Sequence, residues 1–295
     1  MTSVAIGGAG VNEGIMDGQS IIRIGSSSLR NYFYGDAGNL AVTGGANNGF
    51  GSWALHDLSS GGANVAMGDY ALRPLTTTFG NVAIGRNALK NATTPTDCTV
   101  IGDLAGETKT TGTGGTFIGK YLFNQASAAN NNTGLGDSTG RFTTTGGLNV
   151  AIGYRAFEGN TTGNSNVAIG CGAMVDRVGG DENTCVGTSA LGGTAVTTLG
   201  GGNTVVGSGA GMSLLDGDDN ILIGRNAGKH ISQKDDAVNS VAIGVNAYND
   251  ADNQVVIGNN NTLVSVLRGP TLVLGSTSIT EAQLIDLLAM LSPSA

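Results

Sequence analysis

"NVAIGRNAL", at residues 81–89, returns as "NVAIGYRAF" at 149–157 and as "NVAIGCGAM" at 166–174. The glycine of this phrase recurs every seventeen residues from Gly51 to Gly187, and then at steps of 20, 17, 20 and 14 residues. A fixed period this short is typical of a stack of like structural units, and it sets the whole fold.

The residues before each glycine alternate as in a β-strand. From the phrase of Gly68 onward, the residue directly before the glycine is aliphatic, and the residue two positions before that one is β-branched. Apolar side chains at every second position are typical of a strand, and β-branched residues favour its pleated surface. We therefore predict an all-β fold, a parallel β-solenoid with coils of about 17 residues, each with two short strands and two turns. The aliphatic column is predicted to face the core; it includes Ile84, Ile101, Ile152 and Ile169.

Two other columns are nearly invariant. Asparagine lies four residues before the glycine in most phrases, as at Asn81, Asn149 and Asn166. Asparagine is typical of turns, and identical asparagines in stacked coils can form a hydrogen-bonded ladder. Alanine lies three residues after the glycine, as at Ala88 and Ala156, which indicates tight packing at that point. Thirteen coils at the usual strand spacing would rise about 60 Å.

Composition agrees with an ordered array and excludes some functions. Glycine makes up 51 of 295 residues and charged residues only 12%, whereas the hydrophobic fraction is 40%. The net charge of −8 disfavours binding to nucleic acid or to anionic membranes. No apolar run reaches the roughly 18 residues of a membrane helix, so no membrane insertion is predicted. The first basic residue is Arg23, so no secretory signal peptide is predicted.

Four regions follow from the pattern. Residues 1–47 are predicted to be an irregular N-terminal segment with degenerate coils, residues 48–260 a β-roll repeat array, and residues 261–277 an extended connector. Residues 278–295 are predicted to form a short C-terminal helix. Terminal repeats are expected to be atypical because they cap the stack.

The C-terminal helix predicts assembly. Its segment is apolar on nearly every side, and a helix of that kind must be buried. Three copies could bury it against one another, so we predict a homotrimer held in register by four leucines: Leu284, Leu287, Leu288 and Leu291. The small residues beside the aliphatic column are predicted to let neighbouring rolls approach closely: Ala66, Ala83, Ala151, Ala168 and Ala242.

Candidate catalytic groups are few. The two histidines, His56 and His230, are interpreted as exposed polar residues. "LDGDDN", at 215–220, could hold calcium but lacks the spacing and the distal glutamate of an EF-hand, so an acidic turn is favoured. "VVGSGAGMS", at 205–213, imitates a phosphate-binding loop, but its glycines occupy repeat positions. We predict no enzyme, and no catalytic, cofactor-binding or metal-binding residues.

Other residues with possible chemistry are interpreted as structural. The three cysteines are interpreted as small hydrophobic residues of the array: Cys98, Cys171 and Cys185. Four asparagines that begin N-x-S/T triplets are attributed to the Asn- and Thr-rich composition: Asn91, Asn131, Asn160 and Asn260. Two longer insertions, 192–202 and 229–239, are predicted to be contact loops, because loops on a rigid scaffold often carry binding.

The repeated phrases resemble a known family. "NVAIGRNAL", "SVAIGVNAY" and "NQVVIGNNN" are similar to the head repeat of trimeric autotransporter adhesins and to repeats in bacteriophage tail fibres and spikes. The resemblance covers residues 48–260 and implies a left-handed parallel β-roll that trimerises side by side. This chain departs from the adhesins in its longer coils, and no signal peptide, stalk or membrane anchor is recognised in it.

These observations favour a structural and adhesive role. We expect a bacteriophage tail fibre or spike that contacts the host surface and is assembled in the host cytoplasm as part of a virion. Expected partners are two further copies of the chain, other virion proteins, and a host glycan or protein. The alternatives are a capsid decoration or cement protein, a bacterial surface adhesin head, a solenoid enzyme and an ice-binding protein.

Overall fold

The computed structural model describes residues 12–16, 19–24, 30–34, 36–38, 42–74, 76–126, 128–193, 197–198, 200–259, 271–274 and 277–280. The chain divides into two compact units, residues 1–259 and 260–295. Among the described residues there are strands and turns but no helix. The strands are β1 Asn12–Met16, β2 Gln19–Ile24, β3 Tyr32–Tyr34, β4 Asn48–Phe50, β5 Val65–Met67, β6 Val82–Ile84, β7 Thr99–Ile101, β8 Thr116–Ile118, β9 Thr133–Leu135, β10 Val150–Ile152, β11 Val167–Ile169, β12 Arg177–Val178, β13 Thr184–Val186, β14 Thr197–Thr198, β15 Thr204–Val206, β16 Ile221–Ile223, β17 Val241–Ile243, β18 Val255–Ile257, β19 Thr271–Leu274 and β20 Thr277–Thr280.

The first unit is built on one sixteen-stranded sheet, in the order β1 to β11, β13, and β15 to β18. From β3 onward the strands are parallel, with one strand per coil, and each residue pairs with its counterpart one coil later. Ala151, for example, pairs with Ala168, seventeen residues on. The predicted parallel β-solenoid with coils of about seventeen residues is confirmed.

Most coils contain one strand rather than the two predicted. The side of the coil after the glycine is a chain of turns in which alternate residues take left-handed backbone angles, as at Tyr70 (φ 60°) and Leu72 (φ 50°). These turns still bond to the next coil: the N–H of Leu72 donates to the carbonyl of Ala88 at 3.0 Å. These inter-coil hydrogen bonds take the place of those that a second strand would make. They also hold bulky residues at left-handed angles, which such residues otherwise disfavour.

The strands place their central residue, not the aliphatic residue before the glycine, in the core. Ala83, Ala151 and Ala168 are fully buried, whereas Ile152 and Ile169 lie on the outer face and are only partly buried. The prediction that Ile84, Ile101, Ile152 and Ile169 face inward was therefore wrong. So was the prediction that Ala66, Ala83, Ala151, Ala168 and Ala242 line a contact between rolls, since all five are buried within the chain.

The core is formed by two columns whose residue sizes complement each other. The strand centre faces the residue four positions after the glycine of its coil. Where the strand centre is large the opposite residue is small: adding a Cβ to Gly228 would bring it 2.6 Å from Leu222. Phe117 and Phe123 are both large and stack at 4.7 Å. The next coil makes room for them, because a Cβ on Gly134 would lie 2.7 Å from the Phe123 ring.

Buried asparagines form the predicted ladder. Asn166 is fully buried, and its Oδ1 accepts the backbone N–H of Asn183 at 2.9 Å. Its Nδ2 donates to Asn149 Oδ1 at 3.1 Å and to the carbonyl of Gly180 at 2.8 Å. The ladder is interrupted where Cys98 and Gly115 replace asparagine. A Cβ on Gly115 would lie 2.8 Å from the Phe117 ring, so this ring accounts for the glycine.

The repeat glycines are required by the close approach of successive coils. Gly85 has φ 132°, and a Cβ placed on it would lie 2.4 Å from the carbonyl oxygen of Gly102. An L-residue would therefore be strained by its backbone angle and blocked by the next coil. The alanine three residues after each of these glycines is also tightly packed, since Ala88 and Ala105 are fully buried.

The parallel array begins one coil earlier than predicted. Tyr32–Tyr34 pairs in parallel with Asn48–Phe50, and Asn31 belongs to the asparagine ladder. Asn31 and Tyr32–Tyr34 thus follow the repeat, within the segment 1–47 that was predicted to be irregular with degenerate coils. Within that segment Gln19–Ile24 runs antiparallel to both of its neighbours and is not a coil of the parallel array. Residues 1–11 lie outside the described residues.

The second unit contains one described hairpin. Thr271–Leu274 pairs antiparallel with Thr277–Thr280. The first strand agrees with the extended connector predicted for 261–277. The second strand includes residues 278–280, which were assigned to the C-terminal helix, so any helix begins later. Residues 281–295, with the leucines predicted to hold the trimer, lie outside the described residues, and the helix stays a prediction.

Candidate functional site: the aliphatic face and the insertion loops

The outer face of the sheet carries two continuous columns of side chains. We define the aliphatic face as the first and third residues of twelve strands, β5–β11, β13 and β15–β18. Its first column contains only valine, threonine and isoleucine. Its third-residue column contains only isoleucine, valine, leucine and methionine. Because the strands are in register, the two columns run side by side for about 50 Å at the usual strand spacing.

These side chains are more exposed than aliphatic residues usually are. Ile118 is 39% exposed, Leu135 47% and Val255 71%. No position of the aliphatic face carries a charge, although 36 of the 295 residues (14 basic and 22 acidic) are charged. A long, contiguous, uncharged apolar surface is typical of a protein contact. The aliphatic face is thus a candidate interface.

At its N-terminal end the outer face becomes aromatic. Tyr32, Tyr34 and Phe50 are each close to half-exposed. The rings of Tyr34 and Phe50, in adjacent coils, stack at 6.2 Å. These residues continue the aliphatic face by two strands, so the apolar surface extends over the first coil.

The two insertions begin at the same place in their coils, five residues after the glycine. In the first insertion, Thr197–Thr198 forms a short parallel pair with Arg177–Val178, while residues 194–196 and 199 lie outside the described residues. The second insertion, 229–239, is anchored by Gln233, which is buried and whose Oε1 accepts the backbone N–H of Asn249 at 2.9 Å. The added residues lie outside the asparagine ladder, which passes from Asn183 to Asn203 undisturbed.

The second insertion also forms part of a surface cavity of about 230 Å³. The cavity is lined by Asn226, Lys229, His230 and Asn246. His230 is exposed, as predicted, and its ring stacks on Tyr248 with centroids 4.2 Å apart and an angle of 13° between the planes. Sequence reasoning selected the loop but not this cavity, because Asn246 and Tyr248 come from the next coil.

The other histidine lies among aromatic and basic side chains. His56 is partly exposed, and its Nδ1 is 2.7 Å from Asp57 Oδ1. Its ring lies 4.3 Å from the Trp53 ring, and the Arg73 guanidinium lies 4.8 Å from Trp53 and 5.5 Å from Tyr70. Cation–π contacts at exposed sites contribute about 0.5–1 kcal/mol each. They stabilise the stacking of neighbouring coils.

The acidic stretch is a surface turn. Asp216, Asp218 and Asp219 are exposed, and the Asp218 carboxylate accepts the backbone N–H of Gly201 at 2.7 Å. Among the described residues no group of three or more His, Cys, Asp or Glu side chains is placed to hold a metal ion. The glycine-rich stretch at 205–213 lies in the repeat, with Val205 in the core.

The cysteines occupy two environments. Cys98 and Cys185 are fully buried, and burial raises the pKa of both thiols. They fit the predicted role as small core residues. Cys171 is exposed, so for this residue the prediction was wrong. It follows Gly170 directly and lies where the coil turns away from the aliphatic face.

Two buried cations were not anticipated. Lys109 and Arg177 are fully buried, and burial lowers the pKa of each. The Lys109 ammonium donates to the carbonyl of Ala129, and Arg177 Nε donates to the carbonyl of Leu191 at 3.0 Å. Both occupy the position seven residues after the coil glycine, where no other coil from Gly51 to Gly244 carries a charged residue. Both bond backbone carbonyls there.

The N-x-S/T triplets differ in accessibility. Asn91 and Asn131 are exposed. Asn160 is fully buried, and its side chain bonds the backbone of Gly163 and Gly179. Asn260 lies outside the described residues. The triplet at Asn160 is therefore structural.

Comparison with known proteins adds no assignment. No protein-family model matches the chain, and a search of curated proteins finds no significant match. Within the described residues, no helix is long and apolar enough to cross a membrane.

Proposed function

We propose that the chain is a homotrimeric structural rod of a virion, a bacteriophage tail fibre or spike that contacts the host surface. The observation that carries this proposal is the aliphatic face. Its twelve pairs of partly exposed side chains, none charged, favour burial against further copies of the same surface. Closed cyclic symmetry would hide this surface in every copy and leave none to aggregate.

The two-column pattern suits three copies. In a closed ring of three parallel chains each chain has two neighbours. The first-residue column of one chain then meets the third-residue column of the next, as with Val150 opposite Ile152 of another copy. Each fully buried isoleucine or valine contributes about 1.5–3 kcal/mol relative to exposure. Even partial burial of so many side chains outweighs the cost of association.

The coils supply the mechanical properties that such a role needs. Each coil bonds to the next both through its strand and through its turns, as in the hydrogen bond from Leu89 N–H to the Ala105 carbonyl at 3.0 Å. The asparagine ladder adds side-chain bonds within the stack. Repetition of one coil therefore sets length. The resemblance of the repeated phrases to fibre and adhesin repeats supports the same role.

Localisation tests the virion assignment. Particles released from host cells that carry the gene would be purified and labelled with antibody against the array, then imaged by electron microscopy. We expect label on a tail appendage. Label distributed over the capsid would overturn the fibre assignment in favour of a decoration protein. Label on the bacterial surface without particles would overturn it in favour of an adhesin.

A further inference from the structure

The cavity beside the second insertion loop combines groups that recognise a sugar. It is lined by Asn226, Lys229, His230 and Asn246, and its volume of about 230 Å³ suits one pyranose ring rather than an extended chain. Binding sites are typically concave surfaces with a few convergent polar groups. Lys229 and His230 of the insertion meet Asn246 of the next coil here.

The polar groups are held in place by the backbone and by one another. Asn226 Nδ2 donates to Asn246 Oδ1 at 3.2 Å, which fixes the orientation of both amides. The second Nδ2 hydrogen of Asn226 and the amino group of Asn246 can donate to sugar hydroxyls. The backbone of Lys229 is fixed on both sides, since its N–H donates to the Asn226 carbonyl and its carbonyl accepts from Ser213 Oγ.

The imidazole of His230 is fixed as well. Tyr248 supports one side of the ring through the stacking contact at 4.2 Å. The backbone N–H of Ser232 donates to Nδ1 at 3.0 Å, so the neutral ring carries its proton on Nε2 and presents a donor there. An aromatic ring supported in this way offers an apolar surface with a polar edge, which suits the C–H and O–H groups of a pyranose.

We propose that this cavity binds a single carboxylate-bearing pyranose, a hexuronate, of a host-surface polysaccharide. The amides of Asn226 and Asn246 bond its hydroxyls, His230 contacts its ring, and Lys229 pairs with its carboxylate by a charge-assisted hydrogen bond. The proposal deepens the proposed function, on which it rests, by naming the chemical class of the host ligand.

Titration of the full chain with D-glucuronate, followed by saturation-transfer NMR, tests the site, with D-glucose as the neutral probe. We expect saturable glucuronate binding with a Kd on the order of 1 mM and glucose binding at least about fivefold weaker. Lys229→Gln should abolish the preference for glucuronate and keep glucose binding. His230→Ala should weaken binding of both sugars roughly tenfold. Lys90→Gln, the same change at the equivalent position of another coil, five residues after the glycine, should alter neither.

Absence of saturable glucuronate binding would overturn the proposal, as would a preference that survives Lys229→Gln or binding unchanged by His230→Ala. Both residues are exposed, and circular dichroism of each variant would verify that the fold is kept. Failure here is distinguishable from failure of the proposed function. Particles with label on a tail appendage but no glucuronate binding would remove the sugar site alone, whereas glucuronate binding without such label would remove the virion role alone.

Discussion

Ala151 and Ile152 are neighbours in one three-residue strand, yet they belong to different surfaces. Ala151 lies in the closed core, where the two facing columns complement each other in size, while Ile152 lies in the aliphatic face, which the single chain leaves partly exposed. The smaller residue is the buried one. In this array, therefore, hydrophobicity alone does not identify the core. The residues at the strand centres determine how each coil packs, and the aliphatic face is available for a contact between chains.

The largest loss of stability should follow from a charged residue at a strand centre. We expect Ala151→Asp to abolish folding of the array, because it buries an unpaired carboxylate where no partner can reach it, at a cost of several kcal/mol. The matched change, Ile152→Asp, places the same charge on the outer surface. It should keep the β-sheet signal in far-UV circular dichroism at 25 °C. Equal loss of that signal in both variants would break the distinction between the two faces.

A smaller loss of stability should follow from the removal of one asparagine of the ladder. We expect Asn166→Ala to destabilise the chain by about 2–3 kcal/mol, because it leaves the buried N–H of Asn183 without its acceptor. Asn164→Ala, two residues earlier, removes an exposed acceptor of the Gly147 N–H and should cost less than about 1 kcal/mol. Urea unfolding monitored by circular dichroism measures both. Equal midpoints for the two variants would contradict a stabilising role for the ladder.

The last comparison concerns the accessibility of the three cysteine thiols and involves no change in stability. Cys171 is exposed, whereas Cys98 and Cys185 are buried with a raised thiol pKa. We expect a maleimide reagent to label one thiol per chain under native conditions at pH 7 and three after unfolding. Mass spectrometry of the peptides should place the native label at Cys171. Native labelling of Cys185 would show that the strand centre is not closed.

The period, the parallel register, the asparagine ladder and the tight packing of the alanine three residues after each glycine could all be predicted. Each rests on a residue type that recurs at one position of the coil. Which residues of the strand face the core could not be predicted from hydrophobicity, since a shift of one residue exchanges the two faces of the strand. A signal was nevertheless present. Strand centres vary in step with the residue facing them, as Leu222 does with Gly228 and Val205 with Gly211, and such complementary variation is typical of a packed interior.

Two other features were missed for different reasons. The first coil carries the repeat asparagine at Asn31 and a glycine four residues later, but aromatic residues replace the aliphatic ones, which concealed the match. The left-handed angles at Tyr70 and Leu72 have no local signal, since neither residue favours them. Repeated hydrogen bonds between coils impose these angles. The cavity beside 229–239 is likewise a product of two adjacent coils, which the linear sequence keeps apart.

Burial of the aliphatic face between copies of the chain is tested by sedimentation equilibrium. We expect a mass of about 88 kDa for the full chain, three times 29.4 kDa. For the double variant Ile152→Asp, Ile169→Asp we expect 29.4 kDa with the β-sheet signal retained. A wild-type chain that sediments at 29.4 kDa across micromolar concentrations would show that the face is not buried between copies.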